Sequence, residues 1–270
     1  MIPRPTLLPA LPRLAGLAAA ALLAAPLLVA PAPAPAQTAL SDAMSLDPEG
    51  RAVLRSEIRK YLLEHPEVIM EAVKVLEDRR EAAEATEARD MVSSHRDEIF
   101  DDGYSHVAGN PEGDVTVVEF IDYNCGYCKK AHADVRKLVE TDAGLRYVVK
   151  EFPILGPTSV TAAKAALAAR AQQDGKLYMA FNDALMGHRG ALTDAQIWSI
   201  AEEVGLDVDA LQAEAESDEI KSQIERTYEL AKKLQIQGTP TFVIGEELVR
   251  GYAPLDHMRE VVAAAREKQG

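Results

Sequence analysis

The chain's only two cysteines, Cys125 and Cys128, lie three positions apart at the junction of a strand-like run and a helix-like one. Val115-Thr116-Val117-Val118-Glu119-Phe120-Ile121 reads as a buried strand, Lys129 to Glu140 has helical composition, and Leu145 to Phe152 reads as a second strand. Strand, helix, strand is a parallel crossover unit, so the pattern demands an α/β sheet with the cysteines at a strand-to-helix turn. Random placement would set two cysteines three apart on the order of one time in a hundred. A structural disulfide closing so short a loop removes little chain entropy and contributes little stability. A closed structural zinc site wants four ligands, and there is no second cysteine pair. Copper(I) held by two thiolates remains open. A redox-active dithiol is the leading reading.

Residues 1–36 read as a secretory signal. Arg4 and Arg13 precede and flank the apolar stretch Leu14 to Ala30, and a Pro/Ala segment leads to Ala34-Pro35-Ala36, which has the small-x-small form of a cleavage site. An uncleaved anchor is the competing reading, against which stand the interruptions at Pro26 and Pro31. Past Ala36 no apolar run approaches the length that spans a bilayer, so no membrane insertion is expected after cleavage. The short, Ala-rich signal points to the periplasm of a Gram-negative cell, where disulfides persist. With 29 basic against 43 acidic side chains, nucleic acid and anionic membrane surfaces are poor partners.

Residues 37–47 read as a flexible leader and residues 48–100 as a helical extension. Leu54, Ile58, Tyr61 and Leu62 recur at helical spacing, Pro66 marks a break, and Val68, Ile69, Ala72, Val73 and Leu76 make a second stripe. From Glu77 to about Asp97 the sequence is charged and reads as a rod that cannot bury itself against a core. Self-association through residues 48–100 is therefore expected, with a helical cap on the main domain as the alternative. Residues 101–270 form that main domain. It opens with a loop carrying Gly103, Gly109, Asn110, Pro111 and Gly113. Residues 157–234 are helical almost throughout, over Ser159 to Gln172, Leu177 to Met186, Asp194 to Val204 and Ser217 to Leu234, with Trp198 in the core of that block. Thr241 to Ile244 and Leu248-Val249 read as strands joined by a turn at Gly245-Glu246, before a last helix from Leu255 to Arg266.

Val118-Glu119-Phe120, then Asp122-Tyr123-Asn124-Cys125-Gly126-Tyr127-Cys128, and much later Gly238-Thr239-Pro240-Thr241-Phe242, resemble the DsbA-like branch of the thioredoxin superfamily. Within it the chain is most similar to the suppressor-of-copper-sensitivity protein C (ScsC) group, whose members carry an N-terminal helical extension. The similarity covers residues 104–268 well and 48–100 more loosely. It implies a thioredoxin-like α/β fold with a helical insertion at about 157–234. Cys125, at the head of the helix beginning near Gly126, should have its thiolate favoured by unpaired N–H groups and the helix dipole, which makes it the nucleophile. Cys128, one turn further in, should be more buried and serve as the resolving thiol. Gly126 and Tyr127 tune the thiolate.

In the resembled proteins the dipeptide matching Thr239-Pro240 lies opposite the cysteines with the proline in cis. The backbone of Thr239 would then bond an extended substrate strand, while Pro240, lacking an N–H, leaves the thiolate accessible. Relatives also carry a buried acid at the position of Glu119, which shuttles a proton to the resolving thiol; burial should raise its pKa. Lys150 on the neighbouring strand is either its partner or a solvated edge residue. Asp122 and Tyr123 shape the turn, and His132 is a surface residue. The histidines show no ligand spacing, so no metal ligands are assigned.

The resemblance implies a periplasmic thiol-disulfide oxidoreductase that exchanges disulfides with unfolded or misfolded exported proteins. It needs no cofactor beyond a redox-active Cys125–Cys128 disulfide, and a membrane redox-relay protein would restore its redox state. Gly126-Tyr127 and Thr239 occur in bacterial isomerases, which inclines the reading toward isomerase or reductase. A DsbA-like oxidase and a copper(I)-binding protein are the alternatives, the latter weakened by the absence of a Met- or His-rich tract.

Overall fold

The computed structural model describes residues 47–268, so the signal reading and residues 37–46 of the leader lie outside the described residues. The chain divides into two compact units, one ending at Ile69 and one starting at Met70. In the first, α1 (Pro48–Glu64) begins where the Asp47 side chain accepts a hydrogen bond from the Gly50 N–H, with Pro48 in the first turn, and it stops at His65 before Pro66. The helix α2 (Glu67–Ser94) runs on past the division.

The second unit continues with α3 (Arg96–Phe100), β1 (His106–Gly109), β2 (Val115–Ile121), α4 (Gly126–Thr141) and β3 (Leu145–Glu151). The insertion follows as α5 (Pro157–Ala169), α6 (Tyr178–Gly187), α7 (Asp194–Glu203), α8 (Val208–Ala215) and α9 (Asp218–Lys233). A hairpin of β4 (Thr241–Ile244) and β5 (Glu247–Arg250) and a final α10 (Leu255–Glu267) complete it. The sheet order is β1-β3-β2-β4-β5, with β2 and β3 parallel and the other pairs antiparallel. The hairpin turns through Gly245-Glu246. Gly245 has φ +59, and an added Cβ would meet the Ala265 side chain at 2.9 Å, so glycine is required there twice over.

Alternation along the central strands splits the core into two layers. Val115, Val117 and Ile121 of β2 and Tyr147 and Val149 of β3 face α4, α10 and the insertion. Val118, Phe120 and Val148 face the opposite side, where Ala88 and Val92 of α2, Ile99 and Phe100 of α3 and Leu230 of α9 cover them.

That second layer corrects the expectation of a solvated charged rod from Glu77 to Asp97. Ala88 and Val92 are buried, four apart on one face of α2, and their small apolar stripe is masked in the sequence by the charges of the other faces. The sheet-covering domain therefore begins well before residue 101. The loop expected around Gly109 contains the short edge strand β1, and α8 is a further helix of the insertion. Trp198 is half-buried at the margin of the core rather than within it. No helix among the described residues is long and apolar enough to cross a membrane.

Candidate active site

The strand β2 delivers the chain to a tight turn in which the Cys125 N–H bonds the Asp122 carbonyl at 3.0 Å. Cys125 is then the N-cap of α4, with extended backbone, and its own carbonyl accepts the first helical bond from Lys129. This places the Cys125 sulfur where the helix's unpaired N–H groups converge. It is 8% exposed, whereas Cys128, one turn along, has no exposed surface. Both are free thiols. The Thr239–Pro240 peptide bond is cis, and the Cys125 thiol donates to the Thr239 carbonyl at 3.2 Å. The Thr239 hydroxyl, shut off from solvent, has no hydrogen-bond partner in this thiol form.

Electrostatics separate the two sulfurs. The Cys125 thiol is pulled down to about 5, first by a hydrogen bond from Cys128, against the opposing effect of burial, and then by the Thr239 side chain and the N–H groups of Cys128 and Tyr127. The unpartnered Thr239 hydroxyl is thus a donor that the thiolate can use. Cys128 is pushed far up, by burial first, then by its hydrogen bond to Cys125 and by the charge of Glu119. One sulfur is an anion at neutral pH while the other holds its proton.

Glu119 lies on the thiol-facing side of β2, buried, and accepts a 2.6 Å hydrogen bond from the Tyr147 hydroxyl. Burial raises its carboxyl to about 7; Tyr147 opposes the rise and the Cys125 charge adds to it. Lys150 is not its partner. The register sets Glu119 opposite Val149 and Lys150 opposite Phe120, so Lys150 points to the other side of the sheet. There it is 0% exposed, with its Nζ 2.5 Å from Asp102 Oδ2 and 2.7 Å from the Glu98 carbonyl. The solvated-edge alternative fails as well: Lys150 is a buried brace between β3, α3 and the segment that follows it.

Sequence reasoning gave Asp122 and Tyr123 only the shaping of a turn. Asp122 is a buried hub that accepts from the N–H groups of Asn124, Ile154 and Leu155 and from the Ser159 hydroxyl. It ties the cysteine turn to the loop after β3. Tyr123 and Tyr178 both donate to Glu151 Oε1, and burial raises the Glu151 carboxyl to about 8. A carboxyl group on the strand face otherwise made by Leu145, Tyr147 and Val149 is the signal that would have flagged Glu151. Tyr127, 64% exposed, and Leu155, 52% exposed, form an apolar rim by the thiol turn; every other comparably exposed large apolar residue described belongs to α1 or α2. His132 lies on α4, paired with Asp183 at 3.0 Å.

The parallel β2–α4–β3 crossover, with a helix-capping thiol against a cis-proline loop, places the protein among thioredoxin-fold dithiol proteins. Residues 116–263 match the DSBA-like thioredoxin domain, and the chain belongs to that family. Residues 51–83 match the family described as copper resistance protein ScsC N-terminal domain. Among solved structures, the chain is 47% identical to a thioredoxin-like oxidoreductase from Silicibacter pomeroyi DSS-3, with 64% of this chain and 98% of that one covered and a TM-score of 0.61. It is 26% identical to Proteus mirabilis ScsC in a transitional conformation, covering 83% of this chain and 100% of that one, again at a TM-score of 0.61. The Na(+)/H(+) antiporter NhaA 1 of Salinispora arenicola is 31% identical over 59% of this chain but only 24% of its own length. The chain thus spans about a quarter of the length of the curated relatives it first matches.

Proposed function

We propose that the protein is a periplasmic thiol-disulfide oxidoreductase acting on extended, cysteine-containing segments of exported proteins, working as an isomerase or reductase. The observation that carries this reading is the division of labour between the sulfurs: Cys125 ionised at the head of α4 beside Thr239, and Cys128 protonated behind it. The Cys125 thiolate attacks one sulfur of a substrate disulfide, that S–S bond breaks, and the departing substrate thiolate takes a proton from solvent. Bonding Cys125 removes both its charge and its hydrogen bond with Cys128, two of the causes that hold the Cys128 proton in place. Cys128 then gives its proton to the Glu119 carboxylate and attacks the Cys125 sulfur. The mixed disulfide breaks, the substrate leaves reduced by two electrons, and the protein is oxidised by two. In isomerisation a second substrate thiol attacks the mixed disulfide instead, with no net electron transfer.

The apolar rim of Tyr127 and Leu155 suits an unfolded chain as substrate. Return to the dithiol falls to a membrane redox-relay protein, and export rests on the signal-like residues 1–36. Self-association is supported by the exposed apolar side chains of the extension, Leu54, Ile58 and Tyr61 on α1 and Ile69, Val73 and Leu76 on α2. Leu54→Glu together with Ile58→Glu should lower the solution mass of the full mature chain to that of one copy, and an unchanged mass would remove this part of the reading.

The Cys128→Ala variant tests the whole. Isolated from cells, it should carry other proteins bound through Cys125 and released by dithiothreitol. A variant free of such adducts, together with wild-type protein isolated with stoichiometric copper on its two thiolates, would favour the copper-binding alternative.

A further inference from the structure

Gln235 follows α9 and its cap Leu234, and takes a left-handed backbone conformation, φ +54, uncommon for a residue with a side chain. The turn is closed by the Gln235 N–H on the Lys232 carbonyl and the Ile236 N–H on the Ala231 carbonyl. Its side chain reaches across to α2, where Gln235 Nε2 donates to Glu87 Oε1 at 3.0 Å. Glu87 is held in place because Ala88, the next residue, and Val92 are packed in the same apolar cluster as Leu234 and Ile236.

Gln237, Gly238, Thr239 and Pro240 come next. The N–H groups of Gln237, Gly238 and Thr239 find no partner among the described residues. Beyond the proline the loop is anchored, by the Gly251 N–H on the Pro240 carbonyl at 2.9 Å and by the Thr241 hydroxyl on the Gly238 carbonyl at 2.8 Å. On its upstream side, Glu87 to Gln235 is the side-chain tether between this loop and α2, standing beside the Cys125 thiol on the Thr239 carbonyl and the 3.5 Å contact of Arg250 with the Leu234 carbonyl. A cavity of about 650 Å³ separates the two walls, with Glu84, Glu87 and Met91 of α2 on one side and Gly238, Thr239 and Pro240 on the other.

We propose that Glu87, acting through Gln235, is a positioning residue for the loop that presents Thr239 to a substrate strand, so that α2 forms the second wall of the peptide groove. An extended peptide pairing with the free N–H groups of this loop lies in the cavity, and α2 closes its outer side. The inference rests on the thiol-disulfide exchange reading and names the element that completes its peptide site.

The test compares Glu87→Ala, Gln235→Ala, the double variant and Glu87→Gln in the full mature chain. Exchange is followed with a peptide disulfide long enough to fill the groove, and Cys125 alkylation with iodoacetamide, which needs no groove. Each alanine variant should raise the peptide KM by about three- to tenfold, the range expected for one lost hydrogen bond of ordinary net strength at a solvent-exposed site. Alkylation should stay within twofold of wild type. The double variant should be no worse than either single one, since both remove the same bond. Glu87→Gln, whose amide oxygen accepts the same bond, should restore KM. A lowered melting temperature with unchanged KM would show a merely structural contact and overturn the inference while leaving the exchange reading standing. A wild-type protein that exchanges no peptide disulfide would overturn both.

Discussion

Replacing Glu119 by Gln should stabilise the reduced protein at neutral pH and damage its chemistry at the same time. Burial raises this carboxyl from 4.5 to about 7. The folded protein therefore keeps a proton over that interval that the unfolded chain gives up, and stability falls as pH rises from 4.5 to 7. The rise is worth about 3 kcal/mol, accumulating at about 1.4 kcal/mol per pH unit and complete above pH 7. Glu119→Gln abolishes that loss. Its amide oxygen can still accept the Tyr147 hydroxyl, so the comparison isolates ionisation from packing. Denaturant unfolding of both reduced proteins from pH 4 to 8 should give a difference that is constant below pH 4.5 and grows by about 3 kcal/mol in the variant's favour by pH 8. In single-turnover exchange the same variant should accumulate mixed disulfide, because Cys128 has lost its proton acceptor. A stability difference that stays flat from pH 5 to 8 would show that Glu119 titrates as an ordinary carboxylate, and its assignment as proton acceptor would fall.

Alkylation of Cys125 should be half-maximal near pH 5 and level above pH 6. The midpoint is the quantity to read, since lower intrinsic nucleophilicity offsets much of the gain in thiolate fraction at pH 7; a midpoint near 9 would mark an unperturbed thiol. Lys150→Ala should cost about 3–5 kcal/mol in denaturant unfolding, because it strands the Asp102 carboxylate in a buried site. The Cys125 midpoint should not move in that variant, and a shift would return Lys150 to the active site.

The strand, crossover and hairpin patterns were legible because each depends on residues close in sequence: Val115 to Ile121 with its apolar run, Gly245-Glu246 with its turn chemistry. The helix-capping position of Cys125 was legible for the same reason. Partnerships set by register were not. Lys150 and Glu119 sit on neighbouring strands, yet one residue of parity puts them on opposite faces, and Tyr147, at the correct parity, holds Glu119 instead. The strand β1 is only four residues long and ends in glycine, which leaves little pattern to read. The buried stripe of α2 was hidden because alanine at position 88 counts for little in a periodicity dominated by charge.

Asp122 holds the turn before the nucleophile with one oxygen and the backbone of Ile154 and Leu155 with the other. The two banks of the site are consequently riveted through this side chain, with Asn124 adding a second pin to the Thr158 and Ser159 hydroxyls. Removing this carboxylate would therefore loosen the turn that carries the reactive sulfur and the loop after β3 together, although neither is altered directly.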